Sequence, residues 1–232
     1  PAAPAPREPR ESPEGLRILL VEDDVVNQIA MRRLLEREGF DVQVEGSGEA
    51  GLARLGRENF DLVLMDIQLP AMSGVEATRA IRNGQAGQDR KGIPIIAVTA
   101  YAMSGDREMC LAAGMSDYLS KPFKREQLAT MLQIHTPYAG SAPVPTADSE
   151  PRPVPEADAA APAIFDAGVV RHFVGDGDGN GELARNLMAL FLGESAKQLG
   201  KLQEAQGAGD ALVSQRIAHT LKSSSASVGA LA

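Results

Sequence analysis

Short apolar runs alternate with amphipathic stretches between residues 16 and 136 of this chain. The runs cover 18–21, 42–44, 62–65, 95–98 and 118–119. Between them, segments 26–38, 49–58, 75–82, 106–113 and 125–132 carry apolar residues at helical spacing. Five strands alternating with five helices predict right-handed βαβ units and a parallel sheet covered on both faces. The near-continuous apolar character of LVLM and PIIAV is what strands buried on both sides require. The first unit is therefore expected to be α/β and doubly wound, over residues 16–136.

A second pattern follows it. Segments 167–173, 182–206 and 210–225 read as helices, and the long one repeats Leu183, Leu187, Leu190, Phe191, Leu199 and Leu202 at helical spacing. A small all-α bundle is expected over 164–232. The prolines mark what lies between. Of the 15, five precede Gly15 and seven fall within 137–162, leaving Pro70, Pro94 and Pro122 for the first unit. Pro/Ala runs form extended, semi-rigid spacers, so 1–15 and 137–163 read as linkers.

Composition narrows the function classes. The 23 Lys and Arg against 31 Asp and Glu leave a formal charge of −8, which disfavours binding to a phosphate backbone. Aromatics make up 4% and Trp is absent, so stacking platforms for single-stranded nucleic acid are not expected. One cysteine allows neither a disulfide nor a Cys-cluster metal site within the chain. No stretch reaches the roughly 18 apolar residues of a membrane span, so no membrane contact is expected. A chain opening on Pro1 reads as a piece of a longer protein.

The chemistry gathers at the predicted strand ends. Glu22 and Asp23 follow the first strand, Asp66 the third, Thr99 the fourth and Lys121 the fifth. In open parallel sheets these ends form the ligand crevice, so side chains spread over about a hundred residues of sequence can converge. Two carboxylates ~5 Å apart at an effective dielectric near 20 repel by roughly 3 kcal/mol, and three of them call for a cation. Oxygen ligands without nearby Cys or His select a hard ion, Mg²⁺ first. A metal beside a carboxylate suits phosphoryl chemistry, with one Asp as nucleophile. Thr99 could then hydrogen-bond a phosphoryl oxygen and Lys121 supply a fixed positive charge. Each residue also has a plainer role open to it: Asp23 or Asp24 as a helix cap, Thr99 as strand filler, Lys121 as a turn residue.

The blocks ILLVEDDVVNQ, FDLVLMDIQLPAMSG, IIAVTAYA and YLSKPF together resemble the signatures of two-component response-regulator receiver domains. The resemblance implies a flavodoxin-like sheet of order 2-1-3-4-5. It also implies phosphorylation of Asp66, with Glu22, Asp23, Asp66 and the Gln68 carbonyl around Mg²⁺. Thr99 and Lys121 match the phosphoryl-contacting pair, and Tyr118 the aromatic that changes rotamer with Thr99. Pro122 stands where the family has a cis Lys–Pro bond. Glu22 replaces Asp. Haloacid-dehalogenase-type phosphatases need a second acid two residues beyond the nucleophile, where this chain has Gln68.

In the second unit, IAHTLKSSSASVGA resembles the histidine phosphotransfer (HPt) signature. His219, Leu221, Lys222, Ser224, Ser225, Gly229 and Ala230 match it. Ser223 replaces a Gly that leaves room for a docking receiver. Val213, Ile217 and Leu221 mark the buried stripe, so His219 is expected to face partly outward beside Lys222, one turn away. The resemblance implies phosphorylation of His219 with Lys222 in support. The family core has four helices and this chain ends at Ala232, so the bundle is expected to be incomplete, with Leu221 and Val228 partly uncovered.

The remaining signals are weaker. His135 and His172 read as surface residues, and Cys110 as an inert packed thiol. DGDGNG at 176–181 imitates a calcium loop but has Leu187 where the chelating Glu must stand. The order receiver then HPt resembles the C-terminal part of a bacterial hybrid sensor histidine kinase. That implies a cytoplasmic phosphorelay fragment whose parent can be anchored in the inner membrane. Its partners would be a histidine kinase phosphoacceptor domain upstream and an HPt domain or response regulator downstream. No ATP-binding kinase motif is present to start the relay. Two alternatives stay open: a receiver-type interaction module, and a transcription-regulator fragment without active relay.

Overall fold

The computed structural model describes residues 15–99, 104–121, 123, 125–136 and 180–227. Strands β1 (Arg17–Val21), β2 (Asp41–Glu45), β3 (Leu62–Asp66), β4 (Ile95–Thr99) and β5 (Asp117–Ser120) form one sheet. Its order is β2-β1-β3-β4-β5, all parallel. Helices α1 (Val25–Arg37), α2 (Gly48–Leu55), α3 (Gly74–Arg82), α4 (Ser104–Ala112) and α5 (Arg125–His135) connect and follow the strands. The α/β expectation and the strand order both hold.

Side-chain alternation explains the two layers. On β1, Ile18 and Leu20 point to the side where Ala30, Leu34 and Leu35 of α1 meet Leu128 and Leu132 of α5. Leu19 and Val21 point to the other side, against Leu55 of α2, Ile81 of α3 and Cys110 of α4. Successive strand residues face opposite ways, so the central strands β3 and β4 are buried throughout. The edge strands β2 and β5 are only partly covered, which is why their sequences are the less apolar. Cys110 is buried as expected.

Local signals set the helix starts. The Asp24 side chain accepts from the Asn27 N–H at 2.9 Å and caps α1. Ser47 caps α2. Ser73 and Glu76 form a reciprocal capping box at α3. Gly74 then lies so close to the end of β3 that a Cβ there would stand 2.0 Å from the Asp66 carbonyl oxygen.

The second unit contributes α6 (Asn180–Gly207) and α7 (Ala211–Ser227), packed side by side. Gly209 takes φ +71° between them, and Asp210 caps α7 by accepting from the Val213 N–H at 3.0 Å. The predicted helix 167–173, His172, Val228, Pro122 and nearly all of the DGDGNG segment lie outside the described residues. Leu192, Leu199 and Leu212 are exposed on the helix pair. No helix among the described residues is long and apolar enough to cross a membrane.

Candidate functional site

The sheet register carries the acids to one edge. Beyond β1, the Glu22 N–H still donates to the Glu45 carbonyl at 3.0 Å, which holds the chain in line while it delivers Glu22 and then Asp23. Asp66 and Thr99 are the last residues of β3 and β4 rather than the residues after them. Lys121 comes one residue past β5, its N–H donating to the Thr99 carbonyl at 2.6 Å. Because Asp24 is used as the helix cap, Asp23 is left for the crevice.

Glu22, Asp23 and Asp66 each offer an oxygen within 4.8 Å of the others. Lys121 Nζ donates to Asp66 Oδ2 at 2.8 Å and to Glu22 Oε2. The Gln68 N–H donates to Asp66 Oδ1 at 2.9 Å, and Asn27 Nδ2 donates to Glu22 Oε1 at 2.9 Å. Gln28 Nε2 donates to the Glu22 carbonyl at 2.6 Å. Glu22, Asp66, Thr99 and Lys121 are all buried.

Three carboxylates face one ammonium, and their proton affinities show the imbalance. Burial, with the Asp66 charge beside it, pushes Asp23 up to about 6. Burial likewise raises Glu22, although Lys121 pulls against it. Burial would raise Asp66 too, but the Lys121 ammonium and its hydrogen bond outweigh it and hold Asp66 low. The same carboxylates raise Lys121 despite its burial. Asp66 is thus kept ionised, while Glu22 and Asp23 hold their protons more tightly than usual, a sign of crowded carboxylates that a hard divalent cation would relieve. A cleft of about 510 Å³ beside Asp23, Asp24 and Pro70 connects this edge to α6 and α7 at Lys201, Arg216 and Thr220.

The α6–α7 pair packs against α1 beside that cleft. Val26 and Ile29 of α1 meet Leu187, Met188, Leu190 and Phe191 of α6. On α7, Ser223 Oγ accepts from Asn27 Nδ2 at 3.0 Å. His219, one turn earlier, is 7% exposed, not outward-facing as expected. The face of α7 that would be solvated in an isolated bundle is covered by the first domain. Burial lowers the His219 pKa, Asp66 raises it, and Lys121 and Lys222 lower it, so the imidazole lies within the field of the acidic site. Lys222 itself is exposed.

Other expectations fare unevenly. Tyr118 is half-buried with the Arg107 guanidinium 5.6 Å from its ring centroid. His135 is not a bare surface residue, since its Nε2 lies 3.2 Å from Asp117 Oδ2 with both side chains largely covered. Asn27 and Gln28 are site residues that the sequence did not single out, and Ser223, read there only as a replacement for Gly, gains a partner in Asn27. The first two sit inside the EDDVVNQ block, one helical turn beyond the acids, and that spacing was the available signal.

A family model for the response regulator receiver domain matches residues 18–133, half of the chain. The chain belongs to the receiver domain family. Behind this receiver, an Hpt domain model matches residues 186–232. The sensor protein GacS of Pseudomonas syringae is 39% identical over 142 residues, which is 61% of this chain and 16% of GacS. The histidine-protein kinase BarA of Escherichia coli K12 is 39% identical over 130 residues, 56% of this chain and 14% of BarA. The chain thus spans less than a fifth of the length of these curated relatives. The crystallised receiver domain of the Pseudomonas aeruginosa sensor kinase PA1611, described with magnesium coordinated in its active-site cleft, is 45% identical. It covers 52% of this chain and 97% of its own, with a TM-score of 0.48. A receiver and an HPt domain in one chain serve phosphorelay signalling.

Proposed function

We propose that Asp66 of this receiver accepts a phosphoryl group from a phosphohistidine and that His219 exchanges it with Asp66. The observation that carries this reading is the buried Asp66 carboxylate, held ionised by Lys121, with the imidazole of His219 buried on the facing helix. An Asp66 oxygen attacks phosphorus as the P–N bond of the donor phosphohistidine breaks. The acyl phosphate forms and the imidazole leaves, taking a proton at the nitrogen released. The transfer to His219 is the reverse reaction on a second imidazole, and Asp66 regains its carboxylate.

Glu22, Asp23, Asp66 and the Gln68 carbonyl would hold Mg²⁺. The ion would supply positive charge to the phosphoryl oxygens through the transition state. Lys121 stands opposite and offsets charge on the other side, while the Thr99 hydroxyl donates to a phosphoryl oxygen. Tyr118 follows Thr99 as the switch residue. Lys222 offsets the charge of phosphorylated His219.

The organisation proposed is a receiver over 16–136 and an HPt unit over 164–232. The Pro/Ala segment 137–163 would keep the two at high effective concentration while allowing each to dock elsewhere. The relatives are longer sensor kinases, which supports reading this chain as the acceptor portion of such a kinase. A phosphoacceptor histidine of the kinase would be the donor and a further response regulator the recipient.

The test is labelling by acetyl phosphate or phosphoramidate, resolved on a phosphate-affinity gel. Label that requires Mg²⁺ and disappears in Asp66→Asn is expected. A folded chain that takes no label under any of these conditions overturns the proposal and leaves the interaction-module reading.

A further inference from the structure

The Asn27 side chain is 1% exposed, and both ends of the residue are pinned. Its backbone N–H donates to Asp24 Oδ1 at 2.9 Å, and its Nδ2 donates to Glu22 Oε1 at 2.9 Å. The contact to Glu22 is thus made by the amide nitrogen of Asn27 and not by its oxygen. That orientation leaves the second Nδ2 hydrogen directed at α7, where Ser223 Oγ stands 3.0 Å away. Ser223 is 3% exposed. The hydroxyl therefore acts as acceptor, and the amide's two donors are divided between a carboxylate of the acidic site and the face of the second domain.

We infer that Ser223 is a positioning residue for the docked arrangement of the two domains. Its hydroxyl sets the register of α7 on α1 by completing the donor capacity of Asn27, and through Asn27 it steadies the Glu22 carboxylate. The value of that register rests on the phosphorelay reading, because His219 lies one turn from Ser223 on the same face and is carried to Asp66 by the same contact. Glycine at 223 would leave the buried Asn27 hydrogen to water. A long side chain would hold the helices apart. A small residue with an acceptor oxygen satisfies both demands, so the position selects for the partner surface that presents an amide at Asn27.

The experiment is a double-mutant cycle in the full chain with Ser223→Ala, Asn27→Ala and the double variant. Alanine is the better helix former, so a loss in Ser223→Ala does not arise from a weakened α7. Hydrogen exchange of the α1 amides reads the contact without any phosphoryl transfer. We expect exchange to quicken roughly 3- to 10-fold in Ser223→Ala, and the double variant to match Asn27→Ala alone. Transfer from Asp66 to His219 should fall roughly 3- to 10-fold more than labelling of Asp66 by acetyl phosphate does. Unchanged exchange in Ser223→Ala, additive effects in the cycle, or equal loss in both reactions would overturn the inference. If wild type takes no label, the proposed function fails, and the exchange cycle still decides whether Ser223 and Asn27 are coupled.

Discussion

Lys121 Nζ lies 2.8 Å from Asp66 Oδ2, and both side chains are buried. The same ammonium reaches Glu22 Oε2, so a single cation separates two buried carboxylates from different strand ends. The lysine has a structural effect besides any part in chemistry: it allows Asp66 to stay ionised inside the sheet edge.

Replacing Lys121 by Met should therefore cost stability before it costs anything else. Removing one partner of a buried pair leaves an uncompensated charge, worth about 3–5 kcal/mol. Urea unfolding without divalent cation should show a loss of that order, and Mg²⁺ should recover part of it by restoring positive charge to the cluster. A variant as stable as wild type without metal would mean that the pair contributes little.

Acidity gives a second prediction. The folded protein holds Asp23 at about 6 and raises Glu22, above the ordinary carboxylate range near 4. Between those limits the folded state binds more protons than the unfolded state, so this contribution to stability is present at low pH and lost as pH rises through about 6. In chelator, thermal stability should accordingly fall between about pH 4 and pH 6. With Mg²⁺ saturating, the cation replaces the protons and the fall should shrink or reverse. Melting curves over this range, with chelator and with Mg²⁺, make the comparison.

Two glycines should respond in opposite directions. A Cβ at Gly74 would meet the backbone of Asp66 at 2.0 Å, and neither the strand nor α3 can yield without disturbing the site. Gly74→Ala should lower stability by about 2–3 kcal/mol. Gly193 lies inside α6 with open space around it, so Gly193→Ala should raise stability by about 0.5–1 kcal/mol. Equilibrium unfolding of the two variants reads both values.

Much of this arrangement was legible in the residues themselves. Glu22, Asp66 and Thr99 directly follow apolar runs, and parallel strands bring such ends together whatever their separation in sequence. The helix starts at Asp24, Ser47 and Ser73 carry their own capping signals. The strand limits were set one residue short because Asp66 and Thr99 look like loop residues yet keep ladder hydrogen bonds. The surroundings of His219 were not legible, since helical periodicity reports which face is buried within a bundle and says nothing of a second domain packing over another face. The pairing of Asn27 with Ser223 spans 196 positions and follows no local rule. His135 failed for a related reason: its partner Asp117 begins a strand that precedes it by a whole helix.

The central claim is that Asp66 and His219 exchange a phosphoryl group, and chemical stability of the label tests it most directly. After labelling with acetyl phosphate and Mg²⁺, an acyl phosphate on Asp66 is lost in base, whereas phosphohistidine survives base and is lost in acid. Wild type should show both kinds of label, His219→Gln only the base-labile kind, and Asp66→Asn neither. Base-stable, acid-labile label that persists in His219→Gln, or that forms in Asp66→Asn, would contradict the account.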